Sequence, residues 1–284
     1  MRHATTHTPP HPPHPPHTPH TPPQRLGRGS FGSVWRVETG GEVVAIKTTH
    51  GSAEEAGRER ELLERAQSPR VVKTNPKYEL GEFAGEFGSA NVVAVMEMGE
   101  TSLMEVAGKR GGTMGEDEVE DIARDMMVAL ADLESRHIVH RDVNPNNVLL
   151  CEGGVWKLAD FGCALLLPHP GCLVSAKPAG TIRYMAPEVV RESGLDTRSD
   201  VWSMGASLLH LVAGRPYASN PFEPSVLFDI GRGLSPLDAA PPEIVASLSE
   251  RIVSLLSRCF LPLQHRPTAS EILNHWSSSS TADP

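Results

Sequence analysis

A chain of 284 residues has room for one large domain, or for two smaller units sharing a cleft. Apolar residues make up 39% and charged residues 21%, the balance of an ordinary soluble globular protein. The net charge of −9 argues against a broadly basic nucleic-acid surface, but not against a small anion held by a few local cations. Cys151, Cys163, Cys172 and Cys259 form no CxxC pair and no metal-ligand spacing, so they read as free thiols of a reducing compartment. The longest apolar run, residues 201–214, contains His210 and is too short to span a bilayer, and no apolar signal region opens the chain. A cytoplasmic location is expected, with the nucleus as the alternative.

Residues 1–24 are mostly His, Pro and Thr, which leaves nothing to form a core, so an extended, disordered tail is expected. A Zn²⁺-binding or proline-reader-docking role is the minor alternative for that tract. Pro22 and Pro23 leave little room before the next motif, so the first strand should be short. LGRGSFGSVW then carries GxGxxG at Gly27, Gly29 and Gly32. Dinucleotide-binding folds share that spacing, but their loop opens a helix. Here Val34 and Val37 lead to a turn at Thr39-Gly40-Gly41 and then to Val43-Val44-Ala45-Ile46-Lys47, a β-branched strand. Strand, turn, strand makes a hairpin that folds over phosphates, with glycines letting the backbone approach them.

Ser52-Ala-Glu-Glu55 is a capping box for a helix that ends before Ser68-Pro69 and buries Leu62 and Leu63. Its many Arg and Glu residues are mostly a solvated face. Residues 91–96 read as a buried strand. Thr113-Met-Gly-Glu116 is a second capping box, followed by Val119, Ile122, Ala123, Met126, Met127, Leu130 and Leu133 at helical spacing. Residues 140–162, HRDVNPNNVLLCEGGVWKLADFG, set Asp142 five residues before Asn147 and eighteen before Asp160, around a short hydrophobic hairpin. Three oxygens so spaced suit one chemistry, in which one takes a proton from an attacking hydroxyl and two hold Mg²⁺ on a nucleoside triphosphate. Each alone would be an ordinary turn residue. Jointly, with the glycine loop, Lys47, DFG and APE in order, they are hard to credit to accident.

These motifs resemble the eukaryotic protein kinases over about residues 25–276. DFGCA, GTIRYMAPE, PSVLFDIGRG and RPTASEIL are most similar to MAP kinase kinase kinases and their relatives. The resemblance implies an α+β, bilobal fold, with a small antiparallel-sheet lobe bearing one helix (residues 25–98) and a larger, mainly helical lobe (99–276). Residues 277–284 would be a flexible end. ATP would lie in the cleft beneath Gly27, Gly29 and Gly32. Lys47 would hold the α- and β-phosphates and pair with Glu59 of the helix, with Glu55 and Glu61 as rivals for that pairing. Met96 would guard the back of the adenine pocket, the backbones of Glu97 and Gly99 would bind adenine, and Leu26, Val34, Ala45 and Leu149 would wall it. Asp142 would be the catalytic carboxylate, with Asn147 and Asp160 on Mg²⁺.

The resemblance further implies that His140 is structural, that Thr181 bonds the catalytic Asp, that Asp200 anchors the loop backbone, and that Glu188 pairs with Arg266. Thr268 and Glu271 should cap the last helix. The implied reaction is transfer of the γ-phosphoryl group of MgATP to Ser or Thr of a protein substrate in a signalling cascade. Arg141, beside the base, suggests control by an upstream kinase. Ser175 is the sole hydroxyl between Gly162 and Thr181, although no Lys or Arg occurs over residues 163–176. Asn144 departs from the pattern, because Ser/Thr kinases usually carry Lys there to contact the transferred phosphate. Losing a bond of roughly 1.5–3 kcal/mol should slow the enzyme about 10- to 100-fold, with the amide of Asn144 recovering part. Asn144 also supports the alternative reading, a pseudokinase or scaffold.

Overall fold

The computed structural model describes residues 22–29, 32–217 and 223–279. The histidine- and proline-rich tail expected over residues 1–24 falls outside the described residues except for its last few. Strand β1 (Gln24–Gly29) begins directly after Pro23, and all six of its residues are exposed. It pairs with β2 (Gly32–Thr39), which turns at Gly40-Gly41 into β3 (Glu42–Thr49), and β4 (Asn91–Met96) completes an antiparallel sheet in the order β1-β2-β3-β4. The β2–β3 register sets Val34 opposite Lys47, and Ala45 faces Met96 across β3–β4. The strand-turn-strand reading of the glycine motif therefore holds. Gly32 is required there for closeness: a Cβ would lie 1.9 Å from the carbonyl oxygen of Thr48.

Helix α1 (Ala53–Arg65) packs on this sheet. Ser52 caps it as expected, its hydroxyl accepting from the Glu55 N–H while the Glu55 carboxylate accepts from the Ser52 N–H at 2.7 Å. Beyond β4 come β5 (Thr101–Ser102), α2 (Leu103–Lys109) and α3 (Glu116–Ser135). All seven apolar positions read at helical spacing in α3 are buried.

The capping box expected at Thr113 does not form. Gly115 occupies the cap position without a side-chain bond, because the Met114 N–H donates to the Leu211 oxygen and draws this segment against the next long helix. The Glu116 carboxylate, free of the box, accepts from the Ser249 N–H at 3.1 Å.

Short strands follow: β6 (Ile138–Val139), the hairpin β7 (Val148–Cys151) and β8 (Val155–Leu158), and β9 (Leu165–Leu166). The helices α4 (Pro187–Val190), α5 (Arg198–Ala213), α6 (Glu223–Gly231), α7 (Pro236–Ala239), α8 (Pro242–Ser247), α9 (Glu250–Cys259) and α10 (Ala269–Ser279) complete the chain. Thr268 and Glu271 cap α10 reciprocally, as expected. That helix runs to Ser279, into the stretch expected as a flexible end, and residues 280–284 lie outside the described residues. One continuous core reaches from Ala45 and Met96 through α3 to α5 and α9, so sheet and helices meet along a shared apolar seam. This is the α+β, bilobal arrangement that the sequence implied. All four cysteines are free. Among the described residues no helix is long and apolar enough to cross a membrane.

Candidate active site

The loop between β6 and β7 is held from beneath. Asp200, fully buried in the first turn of α5, accepts from the His140 N–H at 2.7 Å and from the Arg141 N–H at 2.8 Å. Burial pushes its carboxyl up to about 7, against the two N–H groups that favour the charged form. His140 is a strut: its Nε2 lies 3.1 Å from the Ala159 oxygen, its Nδ1 accepts from the Asp142 N–H, and its ring meets the edge of Phe161. Burial lowers its pKa, so it stays neutral. Arg141 and Asp160 take φ of 68° and 69°. Each such left-handed residue costs about 1–3 kcal/mol, strain of the kind that collects at functional sites.

This backbone aims Asp142 into a ring of donors. Its carboxylate accepts from Asn144 Nδ2 (3.0 Å), Asn147 Nδ2 (2.9 Å), the Thr181 N–H (2.8 Å) and Thr181 Oγ1 (2.7 Å). Gly180 makes the last two bonds feasible. Its φ is +103°, and a Cβ there would lie 2.2 Å from the Arg141 oxygen. In the sequence Gly180 is marked only by its place directly before Thr181. Asn144 is only 2% exposed and fully engaged: its amide also donates to the Asp142 oxygen, and its oxygen accepts from the Asn146 N–H.

Across the seam, Lys47 bonds both Glu59 and Asp160, the latter at 2.5 Å. Glu55 caps its own helix and Glu61 is exposed, so Glu59 is the partner that the helix register selects. Burial would lower the pKa of Lys47, but the Asp160 and Glu59 carboxylates outweigh it and the ammonium stays charged. Burial likewise works to raise Asp160, and Lys47 and the Gly162 N–H overcome it, so its carboxyl lies below the usual range. For Glu59 burial prevails over Lys47, and its pKa is raised. Charged, the three groups carry one excess negative charge, and Asp142 adds a second nearby.

Ala45 and Met96 are buried in the core, and Val34, Met98 and Leu149 pack against it. Gly99 passes so near that a Cβ would sit 2.9 Å from Leu149. Its N–H and C=O take no partner among the described residues, whereas the Glu97 N–H already donates to the Lys73 oxygen at 3.0 Å. Of Glu97, then, only the carbonyl is open to a ligand. Leu26 stands apart, 46% exposed on β1, and a Cβ at Gly27 or Gly29 would meet nothing within 4 Å. The Glu97 side chain has a structural role that the sequence did not show. It accepts Lys157 at 2.7 and 2.6 Å and the Lys73 N–H at 2.7 Å, tying the link between sheet and helices to β8. Nothing in either residue type signals a partner sixty positions away.

Arg141 donates to the Cys163 oxygen at 3.3 Å and the Lys177 oxygen at 2.5 Å, so main-chain carbonyls occupy it while Ser175 is exposed nearby. Glu188 and Arg266 form the expected buried pair, Nη1 to Oε1 at 2.6 Å and Nη2 to Oε2 at 3.2 Å.

A sheet and a helical body whose seam gathers a lysine-carboxylate pair, two asparagine amides and two further acidic groups define the kinase class of phosphotransferase. Residues 21–277 match the family described as "Protein kinase domain", and the chain belongs to that family, on its serine/threonine side. It is 30% identical over 263 residues to mouse "Mitogen-activated protein kinase kinase kinase 19", covering 88% of this chain and 20% of that protein. To "Serine/threonine-protein kinase dst1" of Dictyostelium discoideum it is 33% identical over 264 residues, 89% of this chain and 33% of the relative. To "Mitogen-activated protein kinase kinase kinase 17" of Arabidopsis thaliana it is 31% identical over 258 residues, with shares of 88% and 67%. The chain thus spans a fifth to a third of the first two relatives.

Proposed function

We propose that this chain transfers the γ-phosphoryl group of ATP to Ser or Thr hydroxyls of a protein, with Mg²⁺, as a member of a signalling cascade. The observation that carries the reading is the convergence of Asp142, Asn147 and Asp160 on the seam opposite a charged, doubly paired Lys47. Asn147 Oδ1 and Asp160 Oδ2 accept no hydrogen bond among the described residues, so two hard oxygens remain for a divalent cation, which fits Mg²⁺. Bound there, Mg²⁺ would neutralise charge on the nucleotide phosphates. Asp142 would accept the proton of the substrate hydroxyl, Lys47 would hold the α- and β-phosphates, and the open backbone groups of Glu97 and Gly99 would take adenine between Val34, Ala45, Met96 and Leu149 beneath Leu26. An upstream kinase acting on the exposed Ser175 and a cytoplasmic setting belong to the same proposal. If Ser175→Ala leaves activity and the phosphate content of residues 160–188 unchanged, that regulation falls.

The test is transfer of label from γ-labelled ATP to a generic basic protein, followed by acid hydrolysis of the product. Phosphoserine and phosphothreonine, lost on chelation with EDTA, are expected. Phosphotyrosine, or label that survives chelation, would count against the reading.

One observation favours the second reading, a scaffold. Asn144 puts no cation beside the transferred group, and every polar atom of its side chain is engaged. Its bonds instead join Asp142 to Thr181, which makes it a positioning residue. Asn144→Ala is therefore expected to lower kcat about tenfold with KM for ATP unchanged. A variant as fast as wild type would show that these bonds do not position Asp142.

A further inference from the structure

A cavity of about 440 Å³ lies between α4, the start of α5, the turn after α6 and the link from α9 to α10, with Leu173 on one rim and Pro262 on another. Four arginines enter its wall, and they divide into two kinds. Arg266 is matched by Glu188, and Arg198 by Asp196, whose carboxylate accepts its Nε and Nη2 at 3.0 and 2.6 Å. In this cavity, then, one carboxylate satisfies one guanidinium, twice.

Arg191 and Arg232 have no carboxylate partner among the described residues. Arg191 donates Nε to the Gly231 oxygen at 2.5 Å, which fixes the guanidinium and leaves both Nη atoms without an acceptor among the described residues. Its Nη2 rests against Gly233, where a Cβ would approach to 2.6 Å. The Arg232 guanidinium lies 5.9 Å over the Phe228 ring and makes no hydrogen bond among the described residues. Two exposed guanidinium groups without a carboxylate partner among the described residues thus line one cavity, in a chain whose net charge is −9.

We infer that this cavity is a second binding site, which takes the phosphoryl group of a phosphoserine or phosphothreonine on a partner protein. A phosphoryl group carries close to two negative charges and three acceptor oxygens, whereas a carboxylate would match one of the two arginines and strand the other. Leu173 (55% exposed) lines the cavity, and Phe228 (66% exposed) lies under the Arg232 guanidinium beside it, apolar surface for the residues next to the phosphate, which favours a peptide over a free ion. The site lies apart from Asp142, and its readout is binding, so it stands whether or not the chain transfers phosphate.

The experiment is fluorescence anisotropy of the full chain with a labelled degenerate peptide library holding a central phosphothreonine, beside its unphosphorylated twin, with inorganic phosphate as competitor. The phosphorylated library is expected to bind at least about tenfold tighter, and Arg191→Ala and Arg232→Ala each to remove about tenfold. Arg191→Lys keeps the charge and loses the fork, so it should fall between. Arg232→Ala removes no hydrogen bond, and an unchanged thermal midpoint would show that the variant is folded. Equal binding of the two libraries, binding that survives the double Ala variant, or inorganic phosphate competing as strongly as phosphopeptide would each overturn the proposal.

Discussion

Asp142→Asn is expected to reduce kcat by about 10²- to 10⁴-fold, the range of a lost general base, with a smaller rise in KM for ATP. The geometry makes the substitution more than a loss of charge. The Asp142 carboxylate meets donors on both oxygens, with Asn144 and Thr181 on one side and Asn147 on the other. An amide in its place has one oxygen and one N–H₂ group, so one side must face donor against donor. If the oxygen keeps Thr181 and Asn144, the Asn147 amide is repelled. The variant should therefore lose the proton acceptor and also loosen Asn147. Steady-state kinetics with ATP and protein substrate varied separately would resolve the two effects. A rise in KM for ATP alone, with kcat kept, would contradict the role given to Asp142.

Arg266→Ala is expected to lower stability by about 3–5 kcal/mol, because it leaves the buried Glu188 carboxylate without its partner. More than one bond is lost. The guanidinium also donates to the Leu261 oxygen at 3.0 Å and the Arg198 oxygen at 2.9 Å, and it lies 5.0 Å over the Trp202 ring. It thus joins α4, the start of α5 and the α9–α10 link. Among the described residues the Glu188 carboxylate then keeps the Ser199 hydroxyl alone, at 3.0 Å. The double variant Glu188→Leu/Arg266→Met should lose less than Arg266→Ala, since no lone charge stays buried. Urea unfolding of both variants checks this. If the double variant proves the less stable, the pair stabilises the fold by more than its mutual compensation.

The residues that sequence reasoning placed well are those whose neighbours are local or whose chemistry permits one partner. Asp142, Asn147 and Asp160 come from a single loop-hairpin-loop, so their spacing nearly determines their convergence. Lys47 and Glu59 lie on an adjacent strand and helix; family resemblance singled out Glu59 over Glu55 and Glu61, and the structure pairs it with the buried ammonium. Asp200 and Arg266 were legible only through family resemblance, since an ordinary reading of either is a surface charge. What escaped depended on competition for backbone groups. The capping pattern at Thr113 is local and correct in form, yet the Met114 N–H was claimed by Leu211, nearly a hundred residues on. The Glu97–Lys157 tie joins two long side chains that each look solvated in sequence. Arg141 takes carbonyls as partners, and carbonyls carry no residue signature.

The claim on which the rest depends is that the seam between sheet and helices is chemically complete despite Asn144. Its most direct test is phosphorylation of a degenerate peptide library by wild type beside Asp142→Asn, in Mg²⁺ and ATP. A complete site puts phosphate on Ser and Thr with wild type, more slowly than a lysine-bearing relative does, and leaves the variant at background. Wild type no more active than Asp142→Asn would contradict it and leave the fold as a scaffold.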